Sequence, residues 1–487
     1  MIMKRTITAL LLIAMLAGMS GCGGASTSTD TTSASGETTT VETEPSSLES
    51  LPQKNYGGEE FTIFGRTAFA YEFDVEEENG DLINDAIHKR NLVVEDRFGV
   101  EIKMISEPCT WGAEATAWNA KLKNSILAGD SAYDLVAGYG ATIPALTTEG
   151  IFINWHEIPY VDPTAEWWSK NVSEQLTING KAYMITGDLA VTLWQRMNCF
   201  FYNKRLADEY QLPEMYDLVE SGEWTFDKLI ELTANTYKDL DGDSTLSAAD
   251  SYGVSHRGSV EIDMYKEAFA LPVCVKGDDG FPEFALKSEK MVDALTRLNQ
   301  FIHESGVVFF PWGKDNADAN CVNMFKEGRA LFFPGVLYDA ESQFRDMADD
   351  FGIIPYPKYN AEQEEYFSSS ADALSMFVVP IDVSDKEMTG LITEALCIAS
   401  NEQVVPTYYE IVLKDKLSRD AQSSVMIDII RESLIFDFGY LHSFAMEEVG
   451  HIFVNRVRAN SNDIISTFDA KEKAFNKKLE SIMKIYQ

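Results

Sequence analysis

Six cysteines in 487 residues are too few and too scattered for a covalent scaffold. Beyond Cys22, the thiols Cys109, Cys199, Cys274, Cys321 and Cys397 are odd in number, far apart and without a CxxC pair. That spacing excludes a disulfide framework or zinc site and leaves them as small apolar residues, of which one pair could still bridge in an exported protein. Positive charge is equally sparse: 40 basic residues stand against 77 acidic ones, a formal charge of −37. A chain so acidic is repelled by nucleic acid and gains nothing from anionic lipid. Past the first 20 residues no stretch reaches the ~18 consecutive apolar residues of a spanning helix. The six histidines (His88, His156, His256, His303, His442, His451) lack metal-ligand spacing. GxSxG, HExxH and phosphate-binding glycine loops are absent, and Gly138-Tyr139-Gly140 lacks the third glycine of a dinucleotide loop. The 77 acids would still supply a pair for glycoside hydrolysis.

A hydrophobic content of 45% with 11% aromatics is ample for a packed core, and the length exceeds what one core usually holds. Two lobes are expected. Lys4 and Arg5 precede the short apolar run 9–17, followed by Gly18, Ser20 and Gly21, the pattern of an export signal over residues 1–21. Its end, Met19-Ser20-Gly21-Cys22, resembles a bacterial lipobox with Met in place of the more usual Leu, which implies that Cys22 is lipidated and opens the mature chain. Residues 22–54 are rich in Ser, Thr and Glu and poor in large apolar side chains, so they read as a tether between lipid and folded body.

The body begins with alternating signals. Residues 60–64 read as a strand and 83–98 as a helix with Ile83, Ile87, Leu92 and Val93 on its apolar face; 100–105 is a strand, 116–128 a helix and 133–137 a buried strand. This β-α-β-α-β order predicts a mostly parallel sheet covered by helices, with ligands met at the carboxyl ends of its strands. Further on, 200–202 and 371–380 read as strands and 226–236, 288–304 and 386–400 as helices. The last stretch, 463–486, aligns Ile465, Phe468, Phe475, Leu479, Ile482 and Tyr486 on one helical face and leaves five lysines outside, a pattern typical of a solvated surface.

Several short motifs occur in a characteristic order: Asp134-Leu-Val-Ala-Gly138, Asn179-Gly-Lys-Ala-Tyr183, Phe201-Tyr-Asn-Lys-Arg-Leu206, Glu223-Trp-Thr-Phe-Asp-Lys-Leu229, Met324-Phe-Lys-Glu-Gly-Arg-Ala330 and Gly352-Ile-Ile-Pro-Tyr-Pro357. With the lipobox, this series resembles the extracellular solute-binding proteins of ABC importers, the group that includes maltose-binding protein. The resemblance implies an α/β, two-lobed, periplasmic-binding-protein-like (type II) clamp with its ligand between the lobes and three chain crossings, near 190, 373 and 440. Lobe 1 would be 55–190 plus 374–440 and lobe 2 would be 191–373 plus 441–487. It further implies a monomeric, non-enzymatic protein, anchored by lipid to the outer face of the cytoplasmic membrane, that passes a sugar or oligosaccharide to an ABC permease. A peptide or other polar solute, a surface glycoside hydrolase and an adhesin are the alternatives.

Within that frame Trp111, Tyr139, Trp194, Arg196, Tyr338 and Asp372 are the candidate ligand contacts. Indole and phenol rings can stack on sugar faces while charged groups bind hydroxyls. For any single tryptophan core packing is the commoner role, and lobe-to-lobe ion pairing is an equal alternative for Arg196 and Asp372. The sharpest local motif is Asp239-Leu-Asp241-Gly-Asp243-Ser-Thr245-Leu-Ser-Ala-Ala-Asp250. Its oxygens fall at positions 1, 3, 5, 7 and 12, as in a calcium loop, which predicts one structural calcium ion held by Asp239, Asp241, Asp243, Thr245 and Asp250. Ser244 replaces the glycine of the sixth position and Asp250 the final Glu. A solvated acidic turn is the alternative.

Overall fold

The computed structural model describes residues 47–259, 261–409 and 421–487. The export signal 1–21, the lipidation site Cys22 and most of the tether lie outside the described residues. From Ser47 the chain is built into the body: Leu48 is buried in the core and the Leu51 carbonyl accepts from Arg97 Nη2 at 2.9 Å.

The first sheet uses β1 (Glu59–Arg66), β2 (Val100–Glu107) and β3 (Leu135–Tyr139), with β1 parallel to both its neighbours. The second uses β4 (Asn198–Asn203) and β5 (Tyr252–Ser255); a separate hairpin follows, β6 (Cys274–Lys276) with β7 (Pro282–Phe284). Next come β8 (Val308–Phe309), β9 (Ala330–Val336) and β10 (Phe351–Ile354), which complete the second sheet in the order β10-β4-β9-β5-β8. Finally β11 (Ser375–Val378) returns to the first sheet, antiparallel to β3, giving β11-β3-β1-β2. The fold is therefore a two-lobed α/β clamp of the periplasmic-binding-protein type.

Local sequence accounts for the elements. Helix α1 (Leu82–Phe98) starts where Asp81 accepts from the N–H groups of Ile83 and Asn84, and ends where Gly99 takes φ 60°, a left-handed conformation that glycine adopts without strain. Its buried face runs through Ile83, Ile87, Arg90, Asn91, Val94 and Phe98. Leu92 and Val93, expected on that face, are exposed, because the stripe advances at α-helical pitch to Arg90 and Asn91, whose polar atoms bond the carbonyls of Glu72 and Phe73. In β4, Phe200 and Tyr202 enter one core while Cys199 and Phe201 enter the other, as the two-residue period of a strand covered on both faces requires.

The C-terminal stretch is two helices, Ile464–Asp469 and Glu472–Met483, rather than one. Phe468, Phe475, Leu479, Ile482 and Tyr486 are buried as expected, but Ile465 is exposed, since the break near Ala470 rotates the earlier turn. Lys471, Lys473, Lys477, Lys478 and Lys484 are all exposed. Within residues 374–440, the sequence-expected second part of lobe 1, the helix Ala421–Glu432 packs against β10 of the second sheet and the helix Met215–Glu220, with Ser423 Oγ 2.7 Å from Tyr216 Oη. All five described cysteines are buried free thiols. No helix among the described residues is long and apolar enough to cross a membrane.

Candidate functional site

Where chain segments from both lobes meet, a cleft of about 600 Å³ opens. Its lobe-1 wall is Trp111, in the loop between β2 and helix α2 (Ala113–Ala128), and Tyr139, the last residue of β3. The crossings contribute Arg196 and Asp372. On the lobe-2 side stand Arg257 just beyond β5, Trp312 just beyond β8 and Asp339 after β9, each at the carboxyl end of a strand. The helix Glu261–Ala268 adds Glu261 and Asp263, and the C-terminal region adds His451 and Arg458.

Buried ion pairs shape this lining. Arg257 makes two bonds to Asp339, Nη1 to Oδ1 at 3.2 Å and Nη2 to Oδ2 at 2.8 Å, and its Nε lies 2.7 Å from Glu261 Oε1. Asp339 is fixed in turn by accepting the Val336 N–H at 2.9 Å. The Arg458 guanidinium lies 3.8 Å over the Trp312 ring and donates to the Gly258 carbonyl, so this indole is held by a cation while remaining 40% exposed. Trp111 is 55% exposed and rests edge-on against Phe444 at 4.8 Å between ring centres. Arg66, at the end of β1, sits 5.0 Å from the Tyr139 ring and donates to the Ala373 carbonyl at 2.7 Å. The cleft thus presents two accessible indoles among positioned charges.

Burial dominates the titration of these groups. It raises the Asp263 carboxyl to about 8 despite Lys266 and Arg458, and the Asp372 carboxyl to about 6 despite Arg66 and Arg196. It lowers His451 to about 4, assisted by Arg458 and Lys266, so this imidazole is neutral at neutral pH. Asp263 Oδ1, Glu261 Oε2 and Arg196 Nε are buried without a hydrogen-bond partner.

Of the six residues singled out from sequence, Trp111, Tyr139, Arg196 and Asp372 line the cleft together. Trp194 does not: it is buried beneath Tyr409 with the Arg431 guanidinium 5.2 Å from its ring. Tyr338 stands behind the lining, its ring 5.4 Å from the Arg196 guanidinium. Sequence reasoning passed over Arg257, Glu261, Asp263, Trp312, Asp339 and Arg458. A signal existed for Arg257, Trp312 and Asp339, which follow strands as Tyr139 does; none existed for Arg458.

The acidic loop is only partly drawn together. Carboxylate oxygens of Asp239, Asp241 and Asp243 lie within 4.8 Å of one another, all exposed, a set that can coordinate a divalent cation. Ser244 takes φ 61°, making the turn usually left to glycine. Around this turn Asp239 accepts from the N–H groups of Gly242 and Ser244, and Asp243 from that of Thr245. The Asp243 N–H lowers the Asp241 carboxyl, but burial and the charges of Asp243, Asp250 and Asp239 outweigh it and leave that carboxyl raised. Asp250 is buried outside the triad, its two oxygens accepting the N–H groups of Leu240 and Ser247.

No protein-family profile and no characterised relative matches the sequence. Solved structures do match in fold. A cyclo/maltodextrin-binding protein complexed with maltotetraose aligns over 88% of this chain and 98% of its own, with a TM-score of 0.55 at 13% identity. A cyclic α-maltosyl-1,6-maltose binding protein from Arthrobacter globiformis aligns over 87% and 100%, with a TM-score of 0.56 at 16% identity. The maltose-binding periplasmic protein of Listeria monocytogenes, in complex with maltose, aligns over 86% and 97%, with a TM-score of 0.54 at 13% identity. The chain therefore shares the two-lobed fold of these proteins, at low sequence identity.

Proposed function

We propose that this protein captures a sugar or oligosaccharide outside the cell in its interlobe cleft and delivers it to an ABC permease. The observation that carries the reading is the pair of accessible indoles, Trp111 and Trp312, in a cleft that also holds carboxylates and guanidiniums. Flat aromatic faces stack on the apolar faces of sugar rings, and carboxylates and guanidiniums bind the equatorial hydroxyls. The fold shared with proteins solved in complex with maltose and maltotetraose supports it. Tyr139, Arg196 and Asp372 are read as further contacts. No covalent step is involved: a ligand that touches both walls stabilises the closed clamp by its differential affinity, and the permease senses that form.

The basic-apolar-small order of residues 1–21 and the Met19–Cys22 motif support export and lipidation at Cys22, with 23–46 as the tether. Labelled fatty acid supplied to cells would then be incorporated into the wild-type chain and not into Cys22→Ala; a wild-type chain without label would refute the anchor. The Asp239–Asp243 turn is read as a structural calcium site, with Asp250 serving as the buried peg that fixes the loop rather than as a ligand.

One assay tests both ligands. Thermal unfolding of the full chain is followed against mono- and oligosaccharides, peptides and polar solutes, with and without calcium. A ligand at a hundredfold excess over its dissociation constant stabilises by ~2.7 kcal/mol. A shift with one class of sugar, weakened about tenfold or more in affinity by Trp111→Ala or Trp312→Ala, is the expected result. A shift with peptides alone replaces the sugar reading, and melting unmoved by calcium leaves the acidic turn solvated.

A further inference from the structure

The cleft's charges do not balance. Six carboxyl groups (Glu261, Asp263, Asp318, Asp339, Asp372, Glu448) face three guanidiniums, so acids exceed cations even with Asp263 protonated, and neutral His451 adds nothing. Arg257 is engaged by Glu261 and Asp339 and Arg458 by the Gly258 carbonyl and Trp312, whereas Arg196 lies against the rings of Tyr338 and Phe69 with Nε unpartnered and, with Arg66, offsets part of the charge of Asp372. Asp263 is different. It is 1% exposed, lines the cleft, has no ion pair among the described residues, and its Oδ1 is buried without a hydrogen-bond partner. The nearest ammonium, on Lys266, is taken up by Glu267 and Asp437. Across the cleft, Asp372 also lacks an ion pair among the described residues, and its charge is near enough to disfavour ionisation of Asp263.

A buried carboxylate without donors is unfavourable, and two within reach of one another are more so. The first-turn position of Asp263 in the helix Glu261–Ala268 lets the peptide dipole offset part of its charge, but the dipole gives Oδ1 no hydrogen bond. A ligand hydroxyl would supply a donor and leave the charge; an ammonium supplies both. Resting on the carbohydrate reading above, we propose that the ligand is an amino sugar or amino-oligosaccharide, bound with its protonated amine between Asp263 and Asp372 and its ring against Trp111 or Trp312.

The test is calorimetric titration of the full chain with glucosamine and galactosamine oligomers of two to four units, their N-acetylated forms, neutral glucose and galactose oligomers of matched length, and the non-sugar amines spermidine and oligolysine. Charge-assisted bonds predict an amine preference of about tenfold to a hundredfold, abolished by Asp263→Asn. If Asp263→Asn does not fold, as judged by circular dichroism, Asp372→Asn is measured instead, with the same loss expected. Neutral or N-acetylated sugars bound as tightly as the amines overturn this inference and leave the carbohydrate reading intact. Binding confined to spermidine or oligolysine overturns the carbohydrate reading and the amino sugar with it. No binding by any of these probes overturns both.

Discussion

Asp263 shows how a single side chain links the site to the stability of the empty protein. Its carboxyl is raised to about 8 by burial, with Glu267 and Asp372 adding to the effect and Lys266 and Arg458 opposing it, whereas in the unfolded chain it titrates near ~3.9. Between those values the folded state holds a proton that the unfolded state has lost. Stability from this residue therefore falls as pH rises from about 4 to 8, the reverse of a salt-bridged carboxylate. Asp263→Asn removes the ionisable group, so it stabilises the ligand-free protein at pH 8 by at least ~1 kcal/mol relative to wild type, and by less at pH 5. Urea midpoints at the two pH values check this; an equal gain at both would show that Asp263 is not the titrating group. The same residue explains a limit of sequence reading. Nothing in Glu261-Ile262-Asp263 distinguishes an acid facing the cleft from one facing water, because its environment is assembled from Asp372, more than a hundred positions away. The pairing of Arg257 with Asp339, 82 residues apart, is hidden for the same reason, although the place of each after a strand is legible.

At the scale of elements, the strands and helices were legible because their signals are local. The β-α-β-α-β order, the Asp81 cap and the glycines closing α1 and α2 follow from short-range rules, and the rule that ligands meet the carboxyl ends of strands pointed to Tyr139, which lines the cleft. Trp194 and Tyr338 are not among the residues lining the cleft, because nearness to a crossing in sequence does not say which way a side chain turns there. What joins the elements at the crossings is a buried polar node. Glu72 is fully buried; its Oε1 accepts from the N–H and Oγ1 of Thr192, each at 2.8 Å, and its Oε2 from Ser375 Oγ at 2.5 Å. Thr192 precedes β4 and Ser375 opens β11, so one carboxylate ties together the two chain segments that pass between the sheets. Burial raises the Glu72 carboxyl, while Ser375, Thr192 and Arg66 oppose it. Glu72→Ala orphans three donors at once and is expected to cost about 3 kcal/mol or more. Glu72→Gln keeps one carbonyl acceptor and costs less. Chemical denaturation of the two variants orders them; equal, small losses would show that the node is not what holds the crossings.

For the molecule as a whole, the two cores are arranged so that the cleft is the place where neither is continuous. Residues on one face of the lobe-2 sheet, Phe201, Phe333 and Phe351, belong to the same apolar cluster as the lobe-1 sheet, whereas Phe200, Tyr202 and Phe332 belong to the other. The lobes are thus packed together behind the crossings and separated in front, where Trp111 faces the charged wall that carries Trp312. Motion of such a body is confined to rotation about the crossings, since sliding would disrupt the shared cluster while rotation only narrows the cleft. A bound ligand should therefore reduce the radius of gyration in X-ray scattering at constant mass. The same ligand should change tryptophan fluorescence, because Trp111 and Trp312 are exposed to the cleft whereas Trp118, Trp155, Trp168, Trp194 and Trp224 are buried. Trp111→Phe, which keeps an aromatic surface, should lose much of the fluorescence change while the scattering change persists. If the ligand alters fluorescence but leaves the radius of gyration unchanged in both proteins, the cleft binds without closing, and a permease would have to read the ligand itself rather than the shape of the clamp around it.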